Sequence, residues 1–170
     1  EGPDRGAALH RLATLNANEL NSPDRAFDWY ADALRNEPAD DDARIELVKL
    51  AESTGRWAEV ASVFSGLLVA DQDLELSRSF SLELAGIYRD RLNDQASART
   101  VLETTVTQLD PSDVDALKAL AELYEMESNW TALVDILIRL VEATYDDTER
   151  VEFLLKAGVV LDDQLGDIAQ

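Results

Sequence analysis

Side chains suited to catalysis are few in this chain. Among its 170 residues there is one histidine, His10, and no cysteine. A thiol nucleophile, a thiolate metal site and a disulfide are therefore excluded. No sequence motif places a serine beside His10, and no glycine-rich loop that could hold a phosphate is present. The sequence predicts a protein that is not an enzyme.

Runs of aspartate are the next candidates, because calcium prefers carboxylate oxygens as ligands. The runs lie at residues 40–42, 146–147 and 162–163. None of them belongs to a D-x-[DN]-x-[DN]-G loop with a distal glutamate, which is the pattern of calcium-binding helical hairpins. Aspartates at helix starts also interact favourably with the helix dipole. We therefore expect no metal and no cofactor.

The charge balance restricts the class of partner. Acidic side chains number 35 and basic ones 15, so the net charge is −20. A nucleic-acid binder must neutralise phosphates with lysine and arginine, so we expect neither nucleic acid nor an anionic membrane surface as a partner. No apolar run approaches the ~20 residues of a membrane span, and we expect a cytoplasmic protein, with a periplasmic one as the alternative. The acidic excess favours solubility or attraction of a basic partner.

The elements that must position any binding site are helices. From Ser112 to Glu127 apolar residues recur with helical spacing, and a second stripe begins at Trp130, after Asn129, whose side chain can cap the first turn. Two such helices joined by a short turn form an antiparallel hairpin. The stripes around Trp57, 73 residues before Trp130, predict the same hairpin. We expect Trp130 to lie in the core.

A short sequence motif recurs at the predicted turns of the other hairpins. LNSPDRA at Leu20–Ala26 returns as LNDQASA at Leu92–Ala98, 72 residues later, and the chain ends on LGDIAQ after another 73. Ser22 and Asp94 are placed to cap the helices that follow them. The run TTVT at 104–107 favours a strand by propensity, but the stripe around it predicts a helix.

This periodicity predicts a solenoid in which each hairpin is stabilised by its neighbours. We expect one domain over residues 1–170, a fragment of a longer solenoid. The predicted hairpins cover about residues 6–37, 40–70, 74–109 and 112–144, with a terminal helix at about 147–165. Leu154, Leu155, Val160 and Leu161 would lack a following helix, which predicts a homodimer through this unfinished repeat or a frayed tail.

The chain resembles the tetratricopeptide repeat (TPR) family, whose unit follows W-x2-L-G-x2-Y, then A-x3-F-x2-A, then proline. The residues at matching positions are Ala26, Tyr30, Ala33 and Pro38 in the first repeat, then Leu84, Ala85 and Tyr88, then Leu120, Ala121 and Tyr124. The resemblance implies an all-α fold, an α-α superhelix that is a TPR-like right-handed solenoid of antiparallel helix hairpins. About four hairpins and one terminal helix are expected.

The resemblance also implies that the first helices of the hairpins line a concave groove that binds peptides or helices of other proteins. The groove candidates are Thr14, Ile45, Lys49, Glu52, Leu82, Arg89, Lys118, Glu122, Met126 and Leu155. His10, Gly86 and Val159 align with the same positions. Ile45, Leu82 and Leu155 stand where the family's clamp for a C-terminal carboxylate needs basic residues, so that mode of binding is rejected.

These features together predict a protein-interaction scaffold without catalysis. We expect its groove to bind a peptide or helix of a partner protein, amphipathic or basic in character. The alternative is an architectural spacer or self-association module of a larger multidomain protein.

Overall fold

The computed structural model describes residues 3–70 and 73–166, and these residues are helical nearly throughout. The helices are α1 Pro3–Asn18, α2 Pro23–Asn36, α3 Asp41–Thr54, α4 Trp57–Ala70, α5 Leu74–Gly86, α6 Gln95–Thr104, α7 Val114–Met126, α8 Trp130–Ala143 and α9 Asp147–Val160. A single π-helical turn extends α5 at Ile87–Arg91, α6 at Thr105–Leu109 and α9 at Leu161–Leu165. The run 104–107 is thus helical, as predicted. Among the described helices, none combines the length and the apolar character that crossing a membrane requires.

The chain divides into two compact units, Glu1–Asn93 and Asp94–Gln170. In unit 1, α2 packs against α1 and α3, and α4 packs against α3 and α5. In unit 2, α7 packs against α6 and α8, and α8 packs against α9. The largest fully buried side chains of unit 1 include Phe27, Leu34, Leu47, Phe64 and Phe80, and those of unit 2 include Leu102, Leu117, Leu120, Leu133 and Leu137. The predicted hairpin at 74–109 spans the boundary between the units and stays a prediction.

In each copy of the repeated motif, the second residue has a left-handed backbone conformation that ends the preceding helix. Asn21, Asn93 and Gly166 have φ angles of 44°, 51° and 64°, the left-handed conformation that glycine and asparagine tolerate best. Gly55, which follows α3, and Ser128, which lies between α7 and α8, are 73 residues apart. They also have left-handed φ angles, 74° and 55°. A left-handed residue stops a helix and turns the chain back. The period in the sequence is therefore a period of helix termination.

Aspartate and asparagine side chains begin most of the helices. As predicted, Asp94 accepts from the backbone N–H of Ser97, and Asn129 accepts from that of Ala132. Carboxylates at Asp40, Asp73, Asp113 and Asp146 cap α3, α5, α7 and α9 in the same manner. The prediction for Ser22 is wrong: its hydroxyl donates to the carbonyl of Leu20 at 3.3 Å and makes no bond to α2.

Two predictions about burial need correction. Trp130 is half-buried, and so is Trp57, because each is the first residue of its helix and lies at the end of a hairpin beside solvent. Val160 was expected to be uncovered but is 6% exposed, since it lies on the side of α9 that packs on α8. Leu154 and Leu155 are 54% and 65% exposed.

Candidate functional site

In unit 1 the predicted groove residues of α3 share one face. Ile45, Lys49 and Glu52 follow one another at helical spacing, and all three are exposed. The ammonium of Lys49 pairs with Glu46 Oε1 at 2.6 Å. Ile45 has 46% of its surface exposed. This face of α3 presents an apolar side chain between charged ones.

Two ion pairs join α3 to α5 and its π-helical turn. Arg44 Nη1 lies 2.8 Å from Glu83 Oε1, and Arg91 Nη2 lies 2.7 Å from Glu52 Oε2. Burial raises the pKa of Glu83, while the guanidinium of Arg44 opposes that shift. Arg91 also stacks over the ring of Trp57, 4.6 Å from its centre. These contacts hold α3 and α5, the first helices of consecutive predicted hairpins, side by side.

The hydroxyl of Thr14 makes its hydrogen bonds to residues of α1 and α2, within its own hairpin. Its hydroxyl donates to the carbonyl of His10 at 3.0 Å and lies 3.2 Å from the hydroxyl of Tyr30. His10 Nδ1 is 3.2 Å from Asp40 Oδ2, and its ring meets that of Tyr30 edge to face. His10 therefore has a structural environment that links α1, α2 and the start of α3.

The two predicted groove residues on α5 and its π-helical turn are less exposed to solvent than those on α3. Leu82 and Arg89 are both half-buried. Arg89 Nε lies 2.7 Å from Asp90 Oδ1, and this contact lowers the pKa of Asp90. Their spacing of seven residues places both on one side of the helix.

In unit 2 the predicted residues of α7 again share a face. Lys118, Glu122 and Met126 are spaced four residues apart, and Met126 is 59% exposed. Lys118 Nζ lies 3.1 Å from Glu149 Oε1 of α9 and 5.7 Å from the ring centre of Phe153. Lys118 thus links this face of α7 to α9.

A second ion pair joins α7 to α9. Lys156 Nζ lies 2.7 Å from Glu125 Oε2. The neighbours of these two residues in sequence, Leu155 and Met126, are exposed apolar side chains. We use the name first-helix face for one surface in each unit. That of unit 1 carries Ile45, Lys49, Glu52, Leu82 and Arg89, and that of unit 2 carries Lys118, Glu122, Met126 and Leu155.

The partners in these ion pairs that were not predicted from the sequence are Arg44, Glu83, Arg91, Glu125, Glu149 and Lys156. A signal was available. The paired residues are 39 positions apart in unit 1 and 31 apart in unit 2, which is close to one repeat. Opposite charges at that separation indicate neighbouring first helices.

Two further features of the molecule concern metal binding and cavities. Within residues 3–70 and 73–166, no three histidine, aspartate or glutamate side chains are grouped so that they could hold a metal ion. A cavity of about 470 Å³ in unit 1 lies between α1 and α2, where its lining includes Leu12, Leu15 and Trp29. None of the ten predicted groove residues lines that cavity.

The comparisons with known proteins concern the fold. No protein-family model matches the sequence, and no curated protein matches it. The structure is similar to a solved structure described as "MamA RS-1 ArsTM double mutant", with a TM-score of 0.54 and 17% identity over 98% of this chain and 89% of that one. It is also similar to that of YrrB, described as "a TPR protein with an unusual peptide-binding site", with a TM-score of 0.53 and 17% identity over 95% of this chain and 78% of that one. This chain therefore has an all-α, TPR-like fold.

Proposed function

We propose that this chain is a protein-interaction module whose first-helix face binds a peptide or helix of a partner protein, and that it catalyses no reaction. The observation that carries the proposal is the pattern of exposure on that face. Ile45, Met126 and Leu155 are exposed apolar side chains, and each lies on a helix that also carries inter-helix ion pairs. The TPR-like fold and the peptide-binding site named for YrrB support the same proposal.

The physical basis is a division of roles between apolar and charged residues. Burying apolar surface contributes roughly 25 cal/mol per Å², so Ile45 and Met126 are suited to anchor a partner. The pairs Glu52–Arg91 and Glu125–Lys156 hold neighbouring first helices in place before binding. A preorganised face reduces the entropy cost of association.

The charge of the chain favours a basic partner. With a net charge of −20, the chain attracts positively charged segments over distances of about a Debye length, ~8–10 Å. Such attraction raises association rates, while apolar anchors supply most of the affinity. An amphipathic peptide with lysine or arginine beside apolar residues combines both requirements.

The test is a selection from a library of amphipathic peptides of equal length, in which half of the sequences are basic and half are acidic. Basic peptides should be selected, and Ile45→Glu or Met126→Glu should weaken binding to its own unit's face at least tenfold, which is about 1.4 kcal/mol. Ile138→Glu is the matched control, because Ile138 is 46% exposed but lies on α8.

An equal loss of affinity in the Ile138 variant, or a selection without charge preference, would contradict the proposal. A spacer without a groove ligand, the alternative function, predicts that no peptide is selected at all.

A further inference from the structure

A second cavity in unit 1, with a volume of about 230 Å³, lies where α3, the start of α4, α5 and its π-helical turn meet. Its lining includes the apolar side chains of Val48, Trp57 and Ile87 and the carboxylates of Glu83 and Asp90. We call it the Trp57 pocket. Because α4 packs against both α3 and α5, the pocket is formed by helices that are packed together within the unit.

Gly86 leaves the pocket open because it has no side chain. A Cβ added at Gly86 would meet no atom within 4 Å, and the equivalent residue in unit 2, 73 positions later, is Val159. The volume is far above the ~10–15 Å³ that one water requires, so a long side chain fits. Gly86 lies four residues after Leu82 and three before Arg89, which places it on the first-helix face of unit 1. The pocket therefore opens on the surface proposed to bind a peptide.

Glu83 carries a negative charge whose burial is only partly offset. Its Oε1 lies 2.8 Å from Arg44 Nη1, and within the described residues its Oε2 has no ion-pair or hydrogen-bond partner. Burial raises the pKa of Glu83, Arg44 lowers that pKa by less, and the carboxylate of Asp41 raises it further. A second cation at Oε2 would stabilise the charged form of Glu83.

The basic side chain that lines the pocket has partners of its own. The guanidinium of Arg91 pairs with Glu52 Oε2 at 2.7 Å and stacks over the ring of Trp57. Asp90 pairs with Arg89 and is exposed. A cation that enters the pocket therefore finds its open acceptor at Glu83.

Unit 2 differs at the equivalent positions in a way that indicates the charge of the ligand. The residue equivalent to Glu83 is Lys156, whose ammonium lies 2.7 Å from Glu125, the equivalent of Glu52. Unit 2 thus carries its own cation at this position, whereas unit 1 carries a carboxylate beside an unfilled space. Charge complementarity favours a cation supplied by the ligand in unit 1.

We propose that the Trp57 pocket receives one lysine side chain of the partner peptide, so that the first-helix face of unit 1 prefers lysine at one position. This inference rests on the proposed function, and it names the residues that select the partner's basic side chain. The methylene stem packs against Val48 and Ile87, and the ammonium donates to Glu83 Oε2. Lysine fits better than arginine because the open acceptor is a single oxygen, which suits a compact ammonium better than a planar fork.

Two small probes test this proposal on the whole chain without a partner peptide. They are the Nα-acetyl methylamides of lysine and of norleucine, which has the same stem without the ammonium. NMR titration measures Kd from the shifts of the Trp57 indole N–H and the Gly86 backbone N–H. We expect the lysine probe to bind about fivefold more tightly, the upper range for an ion pair that solvent partly reaches. Glu83→Gln should remove that difference.

A matched pair of glycine variants tests where the probe binds. Gly86→Leu should weaken binding of the lysine probe at least tenfold, because the added side chain fills the pocket. Gly66→Leu is the control, since Gly66 lies on α4, is exposed and also has no atom within 4 Å of an added Cβ. It should change the Kd less than twofold.

Several outcomes would overturn the proposal. They are equal affinity of the two probes, absence of shifts at Trp57 and Gly86, and the same loss of affinity in both glycine variants. An arginine probe that binds more tightly than the lysine probe would also contradict it. Peptides that bind while the lysine probe does not would refute this inference alone. A lysine probe that binds while no peptide is selected would refute the proposed function and leave the pocket's preference for lysine standing.

Discussion

The pair α3 and α5 in unit 1 and the pair α7 and α9 in unit 2 are equivalent by a shift of 73 residues, yet their charges are arranged differently. Each pair of helices is joined by two ion pairs. Glu83 in unit 1 is replaced by Lys156 in unit 2, and Ile45 is replaced by Lys118. Arg91, which stacks on Trp57, is replaced by Gln164 beside the end of α9.

The comparison distinguishes the buried apolar residues, which define the repeat, from the surface charges, which vary between repeats. Apolar residues keep their positions: Leu47 and Leu120 are equivalent and both are 0% exposed, and so are Val60 and Leu133. The ion pairs keep their function of joining first helices while their residues change. Packing therefore fixes the hairpins, and the charges of each first-helix face are free to differ between the units.

The largest expected effect tests the equivalence of the two cores. Leu47→Ala and Leu120→Ala should each cost about 2–5 kcal/mol, because each leaves a cavity in a fully buried site. Urea unfolding followed by circular dichroism measures both. Costs that differ by more than about 2 kcal/mol would show that equivalent positions are packed differently in the two units.

Helix caps provide the next comparison. Asp113 is 3% exposed and accepts from the backbone N–H groups of Asp115 and Ala116, while its more exposed equivalent Asp40 accepts from one backbone N–H group and contacts His10 Nδ1 at 3.2 Å. We expect Asp113→Ala to cost about 1–2 kcal/mol and Asp40→Ala less. Thermal unfolding of the two variants decides the order, and a larger cost at Asp40 would contradict the account.

Tyr124 introduces a pH dependence into unit 2, where unit 1 has Ala51 at the equivalent position. Burial and the hydrogen bond to Glu103 raise the pKa of Tyr124 to about 12, from a usual value near 10. Its contribution is fully present below pH 10 and is lost as the pH rises through about 12. Tyr124→Phe should cost about 1–2 kcal/mol at pH 8.

The measurement for Tyr124 is the free energy of unfolding of both proteins between pH 8 and pH 12. The difference between them should shrink across that interval. A constant difference would mean that Tyr124 titrates normally in the folded state.

The smallest effect concerns the ion pairs themselves. Arg91→Gln gives unit 1 the residue that unit 2 has, and Lys156→Gln removes the pair of Lys156 with Glu125. Both pairs are about half exposed, so each change should cost roughly 0.2–1 kcal/mol. Arg91→Gln should cost the more, since it also removes the stack on Trp57. Double-mutant cycles with Glu52 and Glu125 measure each coupling.

The sequence was sufficient for most features that a single helix or turn determines, although the cap predicted at Ser22 does not form. Helical spacing predicted the helices, and the recurrence of LN, LN and LG marked three of their ends. Asp94 and Asn129 were predicted as caps because a cap bonds only to the turn that follows it.

Features that depend on how two helices are rotated against each other were not predictable from one stripe. Trp130 belongs to a stripe but lies at its end, where solvent reaches the ring. Thr14 stays a predicted groove residue, and the contact of its hydroxyl with Tyr30 of the next helix was not predictable from the stripe. The ion pairs of the first-helix faces require the same knowledge of neighbouring helices.

The most direct test of the proposed function is an NMR map of the chain with a selected basic amphipathic peptide. We predict that backbone shift changes will concentrate at Ile45, Lys49 and Leu82, or at Lys118, Glu122 and Met126. The exposed side of α8 around Ile138 should remain unchanged. Shifts confined to α8, or none at saturating peptide, would contradict the claim that the first helices form the binding surface.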